Sequence, residues 1–143
     1  MKLLKTTNQS AIILIRFMVG AVFLSEGIQK FLYPEIRGAG RFEKIGLPSP
    51  EFLGNFVGFF EILSGILILL GLLTRLAAIP LIIIMLVAIT TTKTAVFENE
   101  GFWGMLHASR TDWAMLLGSV FLLIKGGGKY SLDLMIWKNK YGQ

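Results

Sequence analysis

The sequence predicts an all-α integral membrane protein: a four-helix transmembrane bundle followed by a short interfacial C-terminal helix. Composition carries the class. Of 143 residues, 54% are hydrophobic and only 16% charged, against about 25% charged in an ordinary soluble domain; mean hydropathy is +0.67. This length fits a single domain, residues 1–143. The decisive stretch runs from Phe52 to Leu73, where only Asn55, Glu61 and Ser64 interrupt apolar residues and glycines. At ~1.5 Å of rise per residue it makes about 33 Å of helix, enough to cross a ~30 Å hydrocarbon core.

In chain order, Met1 to Ser10 is a polar lead with Lys2 and Lys5. The first predicted span, about 11–32, carries Arg16, Glu26 and Lys30. It is too long for a signal peptide, holds internal charges and lacks a small-x-small cleavage site. Arg16, Gly20, Phe23, Gly27 and Lys30 share one face, and Glu26 sits one turn before Lys30, where the two can neutralise each other. Near the helix end, Lys30 can also snorkel to the interface. Tyr33 to Glu51 is a Gly/Pro-rich loop with room for one helical turn over Gly40 to Ile45.

The second span is predicted over about 53–73. Gly54, Gly58, Glu61 and Gly65 recur at i, i+4, i+7 and i+11, so they share a face along which another helix can approach closely. Glu61 lies in that stripe and should point at a neighbouring helix. A charged carboxylate inside a bilayer must be paired, protonated or solvated, so Glu61 is either a functional group or half of an ion pair that holds the bundle together. Gly71 begins a tight connection, with Thr74 expected to cap the third span, about 75–94. Pro80 either kinks that helix or falls in its first turns. Thr90, Thr91, Thr92 and Thr94 surround Lys93 at its far end, the composition of a helix end at the interface.

The fourth apolar run, Trp113 to Ile124, is too short to span. Extending it to about 106–125 draws His107, Arg110 and Asp112 towards the bilayer. Gly126 and Gly128 belong to the turn that ends it, and Ser131 is placed to cap a surface helix over Leu132 to Trp137.

With no cysteine and one histidine, disulfides and a bis-His haem within one copy are excluded. No spacing of Asp, Glu and His points to a metal site. The net charge of +5 flanks apolar runs, as membrane proteins arrange it, and is no nucleic-acid signature. Four spans put both termini on one side, and a slight Lys/Arg excess there makes that side cytoplasmic. Independently of orientation, Glu26, Lys30, Glu61, Lys93, His107, Arg110 and Asp112 fall in one half of the bundle. Arg16 lies in the other half, ~15 Å along the helix from Glu26. Clustered intramembrane charge is a candidate site by default.

The segments RFMVGAVFLSEGIQKF, FEKIGLPSP, GFFEILSGILILLGLLTRLAA and TDWAMLLGSVFLLIKGGGKYSLD resemble the DoxX family of small four-helix bacterial membrane proteins over nearly the whole chain. The resemblance is most specific at Glu61, Gly65, Gly71, Thr74 and Arg75, and at Gly126, Gly128, Ser131 and Asp133. Gly127 departs from it, standing where the family often has proline.

The resemblance implies a four-helix bundle in the bacterial inner membrane and leaves function open. Some relatives are subunits of a thiosulfate:quinone oxidoreductase, others join oxidative-stress complexes, and distant eukaryotic ones are chaperones or cargo receptors. Three expectations follow. The first is a membrane component of an oxidoreductase that binds a quinone or small acid, with Glu61 and Glu26 handling protons and Arg110, Lys93 and His107 as donors. It would hold no cofactor within the chain, so electrons would come from a redox partner subunit. The second is a non-catalytic scaffold whose glycine faces hold other helices. The third is a proton-coupled transporter, which would require a homo-oligomer.

Overall fold

The computed structural model describes residue 4 and residues 9–142. Lys2 and Lys5, in the polar lead, lie outside the described residues. Six helices follow in order: α1 (Ile12–Leu32), α2 (Ala39–Lys44), α3 (Pro50–Leu70), α4 (Thr74–Ala108), α5 (Arg110–Lys125) and α6 (Leu132–Tyr141). Among the described residues there is no strand. Three helices, α1, α3 and α4, are long and apolar enough to cross a membrane. The fourth apolar helix, α5, has 16 residues and reaches only about 24 Å.

The boundaries differ from the sequence expectation for identifiable reasons. α3 starts at Pro50, because proline is preorganised for a first helical position. It stops at Leu70 because Gly71 adopts φ 69°. The Gly71 N–H then donates to Ile68 O (3.1 Å) and the Leu72 N–H to Leu67 O (2.9 Å), the Schellman pattern that closes a helix. Helical structure in α4 runs well past Thr94, through the polar Glu98 to Glu100, and is broken at Gly101 (φ 76°, ψ −171°). Residues 102–108 therefore form a limb that precedes α5, and α5 begins only after Ser109.

Thr74 does not cap α4. Leu73 occupies the cap position in a left-handed conformation (φ 50°), and the capping side chain comes from the far end of the chain. Asp133 accepts hydrogen bonds from Leu73 N (2.7 Å) and Thr74 N (3.0 Å). A carboxylate at this point also complements the positive end of the α4 dipole. At the start of α6, Ser131 Oγ accepts from Leu134 N at 3.2 Å. The helix runs past Trp137 to Tyr141.

α1 and α3 pack antiparallel through their glycines. A Cβ at Gly27 would stand 2.8 Å from Gly58 O, and one at Gly65 would stand 2.9 Å from Gly20 O. Two backbones this close leave no space for a side chain. α2 lies across the start of α3, where a Cβ on Gly54 would meet Ala39 N at 2.8 Å. The apolar core gathers Val19 and Phe23 of α1, Ile68 of α3, Ala78 and Leu81 of α4, and Leu122 of α5. Outward, Leu14 and Phe17 are 70% and 69% exposed, as expected of side chains solvated by lipid. Gly27→Leu is expected to force α1 off α3 and destabilise the bundle by at least about 1–3 kcal/mol, the usual cost of overpacking. Thermal unfolding in detergent checks this, with Val87→Leu on the outer face of α4 showing no comparable loss.

Candidate functional site

The charges that the sequence gathers into one half of the bundle resolve into two separate ion pairs and several exposed groups. Lys30 and Glu61 form the first pair at 2.8 Å, with side chains 10% and 5% exposed. Glu61 sits near the middle of α3, and Lys30, near the end of α1, reaches down to it alongside Gly27 and Gly58. The close approach of the two backbones there removes water from the pair, so each ion's main compensation is the other. Lys93 and Asp112 form the second pair at 3.2 Å between α4 and α5, at 17% and 23% exposure.

Glu26 and His107 are exposed. Arg110 is exposed too and donates to the His107 carbonyl at 2.7 Å. The threonine hydroxyls around Lys93 donate to carbonyls of their own helix: Thr91 to Val87 O at 2.7 Å and Thr94 to Thr90 O at 2.8 Å. Among the described residues no group of three or more His, Asp or Glu is placed to hold a metal ion.

Between α3 and α4 lies a groove of about 210 Å³ lined by Phe56, Val57, Phe60, Pro80, Ile83 and Ile84, while Glu61 itself is turned to Lys30 on α1. Val57 is one helical turn before Glu61 on the same side of α3. Phe56 and Phe60 lie along it with centroids 4.9 Å apart and ring planes tilted by 58°. The groove therefore offers an apolar slot whose Val57 lies one turn along α3 from a carboxylate.

Arg16 stands apart in the opposite half and has a different task. It is 2% exposed and donates to four backbone carbonyls: Ile68 O (2.9 Å), Leu69 O (2.7 Å), Gly127 O (3.2 Å) and Tyr130 O (2.5 Å). Ile68 and Leu69 belong to the last turn of α3, whose carbonyls have no partner within the helix. Gly127 and Tyr130 lie in the irregular exit from α5. In lipid, a carbonyl left without a donor costs several kcal/mol; of these four, Ile68 O also accepts from the Gly71 N–H. One guanidinium, with five donors in a fixed fork, solves both problems together.

Asp133 is the carboxylate whose charge acts on Arg16, and its backbone N–H donates to Gly71 O at 2.9 Å. The sequence stretches around Gly71 to Arg75 and Gly126 to Asp133 thus meet at Arg16. The joint was not read from the sequence. A charge in an apolar helix paired with a glycine-rich, non-helical exit that must supply free carbonyls was the available signal.

A family model described as DoxX matches residues 11–94. The chain belongs to the DoxX family. Within the family it is 52% identical to an uncharacterized membrane protein, Rv3486, of Mycobacterium tuberculosis, over 96% of this chain and 88% of that protein. It is 30% identical to the putative oxidoreductase CatD of Bacillus subtilis, over 90% of this chain and 88% of that one. No solved structure matches the chain. As a DoxX protein with three helices able to cross a membrane, it is a membrane protein. The family match covers α1 to α3 and most of α4, and so contains Arg16, Lys30, Glu61 and Lys93.

Proposed function

We propose that this DoxX protein is the membrane component of an oxidoreductase complex and that it binds a quinone or small acid beside the Lys30–Glu61 pair. The observation that carries this is a desolvated carboxylate–ammonium pair at 2.8 Å, one helical turn from an apolar groove between α3 and α4. The name of the Bacillus subtilis relative points the same way. The residues suit a quinone: Phe56, Phe60 and Ile83 would pack on a flat ring and its isoprenoid tail, while Glu61 is the acid closest in register.

Reduction of a quinone to a quinol takes up two electrons and two protons. Glu61 is the group on this chain to pass protons, with Lys30 holding its charge between turnovers. With no cysteine and one histidine, the chain has few ligands for a redox centre, so the electrons would arrive from a partner subunit. Glu26, exposed on α1, and Arg110, exposed at the start of α5, are left outside this assignment.

A scaffolding role would need glycine faces open to other helices. Gly20, Gly27, Gly58 and Gly65 are instead filled by α1 against α3, which favours the first reading. We put the protein in a bacterial inner membrane with both termini cytoplasmic. The support for this orientation is the slight Lys/Arg excess on the face that carries the termini.

The test is the quinone content of protein purified gently from its native membrane. Wild type is expected to hold quinone well above its proportion in the co-purified lipid, and Glu61→Gln to lose that excess. Quinone at the bulk-lipid ratio in wild type would overturn the proposal.

A further inference from the structure

The same basic face has a built edge that the redox reading does not use. α6 turns Asp133 and Leu134 inward, 1% and 7% exposed, and Asp133 is engaged in capping α4. On the outer side, Leu132, Met135, Ile136 and Asn139 recur at i, i+3, i+4 and i+7, a single stripe. Met135 and Ile136 are 60% and 40% exposed. Lys138 and Lys140, both exposed, flank that stripe on either side at 100° per residue. Exposed Lys129 lies over the Tyr130 ring at 5.5 Å and Lys140 over Tyr141 at 5.7 Å, with the Trp137 ring tilted against Tyr141 at 4.5 Å between centroids. At the neighbouring start of α4, Arg75 has a buried Nε that meets no acceptor among the described residues.

We infer that this face, built from α6, Lys129 and Arg75, binds anionic phospholipid headgroups. Leu132, Met135 and Ile136 of the stripe suit the acyl boundary, while the lysines beside it reach the phosphate level and the aromatic rings sit at the headgroup depth. The charge argues for an anionic lipid over a zwitterionic one. Among the described residues no exposed carboxylate offsets Arg75, Lys129, Lys138 and Lys140, because the face's one acidic side chain, Asp133, is buried and engaged.

The test is native mass spectrometry of the full chain released from bilayers of equal phosphatidylglycerol and phosphatidylcholine. Each basic residue held near an anionic surface adds about fivefold to binding. Wild type is therefore expected to retain phosphatidylglycerol over phosphatidylcholine by at least about fivefold. Lys129→Gln/Lys138→Gln/Lys140→Gln should lower the ratio at least about fivefold, and Arg37→Gln/Arg41→Gln/Lys44→Gln on the opposite face should leave it unchanged. Equal retention by wild type, survival of the preference in the first triple variant, or equal loss in the second would overturn the inference. Should the first variant fail to fold, the wild-type preference must still fall as salt is raised; a salt-independent ratio also overturns it.

Discussion

Arg16→Leu is expected to prevent the bundle from folding, the largest effect of any single substitution in the chain. The guanidinium donates to Ile68 O, Leu69 O, Gly127 O and Tyr130 O, and a hydrogen bond to a charged group contributes about 1.5–3 kcal/mol. Leucine restores none of these bonds. It also leaves carbonyls from two parts of the chain buried without donors, so the loss is on the order of 5 kcal/mol or more, comparable with the whole stability of a small protein. Arg16→Lys keeps the charge but replaces the planar fork with a point donor, and should yield a folded protein with a clearly lowered melting temperature. The pair is read by the yield of monodisperse protein in detergent and its thermal unfolding. A Leu variant as stable as wild type would show that the carbonyls find other partners.

Lys30→Met is expected to destabilise by about 3–5 kcal/mol, because it leaves the Glu61 carboxylate buried and unpaired. The double variant Lys30→Met/Glu61→Leu should recover most of that loss, since replacing both ions with apolar groups of similar volume is close to neutral. The comparison separates two roles. If the pair serves only to join α1 to α3, the double variant should complement a deletion strain. The proposed proton-handling role requires that it fold and fail to complement. Complementation by the double variant would contradict a catalytic part for Glu61.

The three helices long and apolar enough to cross a membrane were legible because hydropathy and length are local properties. Phe52 to Leu73 announces a transmembrane helix, and the glycine register of Gly54, Gly58 and Gly65 announces which face of it is packed. Charge pairing was only partly legible. Sequence can place Lys30, Glu61, Lys93 and Asp112 at similar depth, but the rotation of each helix decides that Lys30 meets Glu61 while Glu26, four residues earlier, faces outward. The Arg16 joint was hidden for a different reason. Its partners are backbone carbonyls, which every residue has, so nothing in their side chains marks them. The cap on α4 was hidden because Asp133 is 59 positions from Thr74, and a local capping rule naturally selected Thr74 itself. The long α4 was missed because Glu98 to Glu100 end the hydropathy signal while the backbone stays helical until Gly101.

The central claim, that this DoxX protein is the membrane arm of an oxidoreductase, is tested most directly by identifying the proteins that leave the native membrane with it. Gentle solubilisation, affinity isolation and mass spectrometry should recover, in stoichiometric amount, a subunit carrying a flavin, haem or iron–sulfur centre that can supply electrons to the groove between α3 and α4. Recovery of the chain with lipids and unrelated membrane proteins only, from cells where it is active, would contradict the claim and leave the Lys30–Glu61 pair as a bond within the bundle.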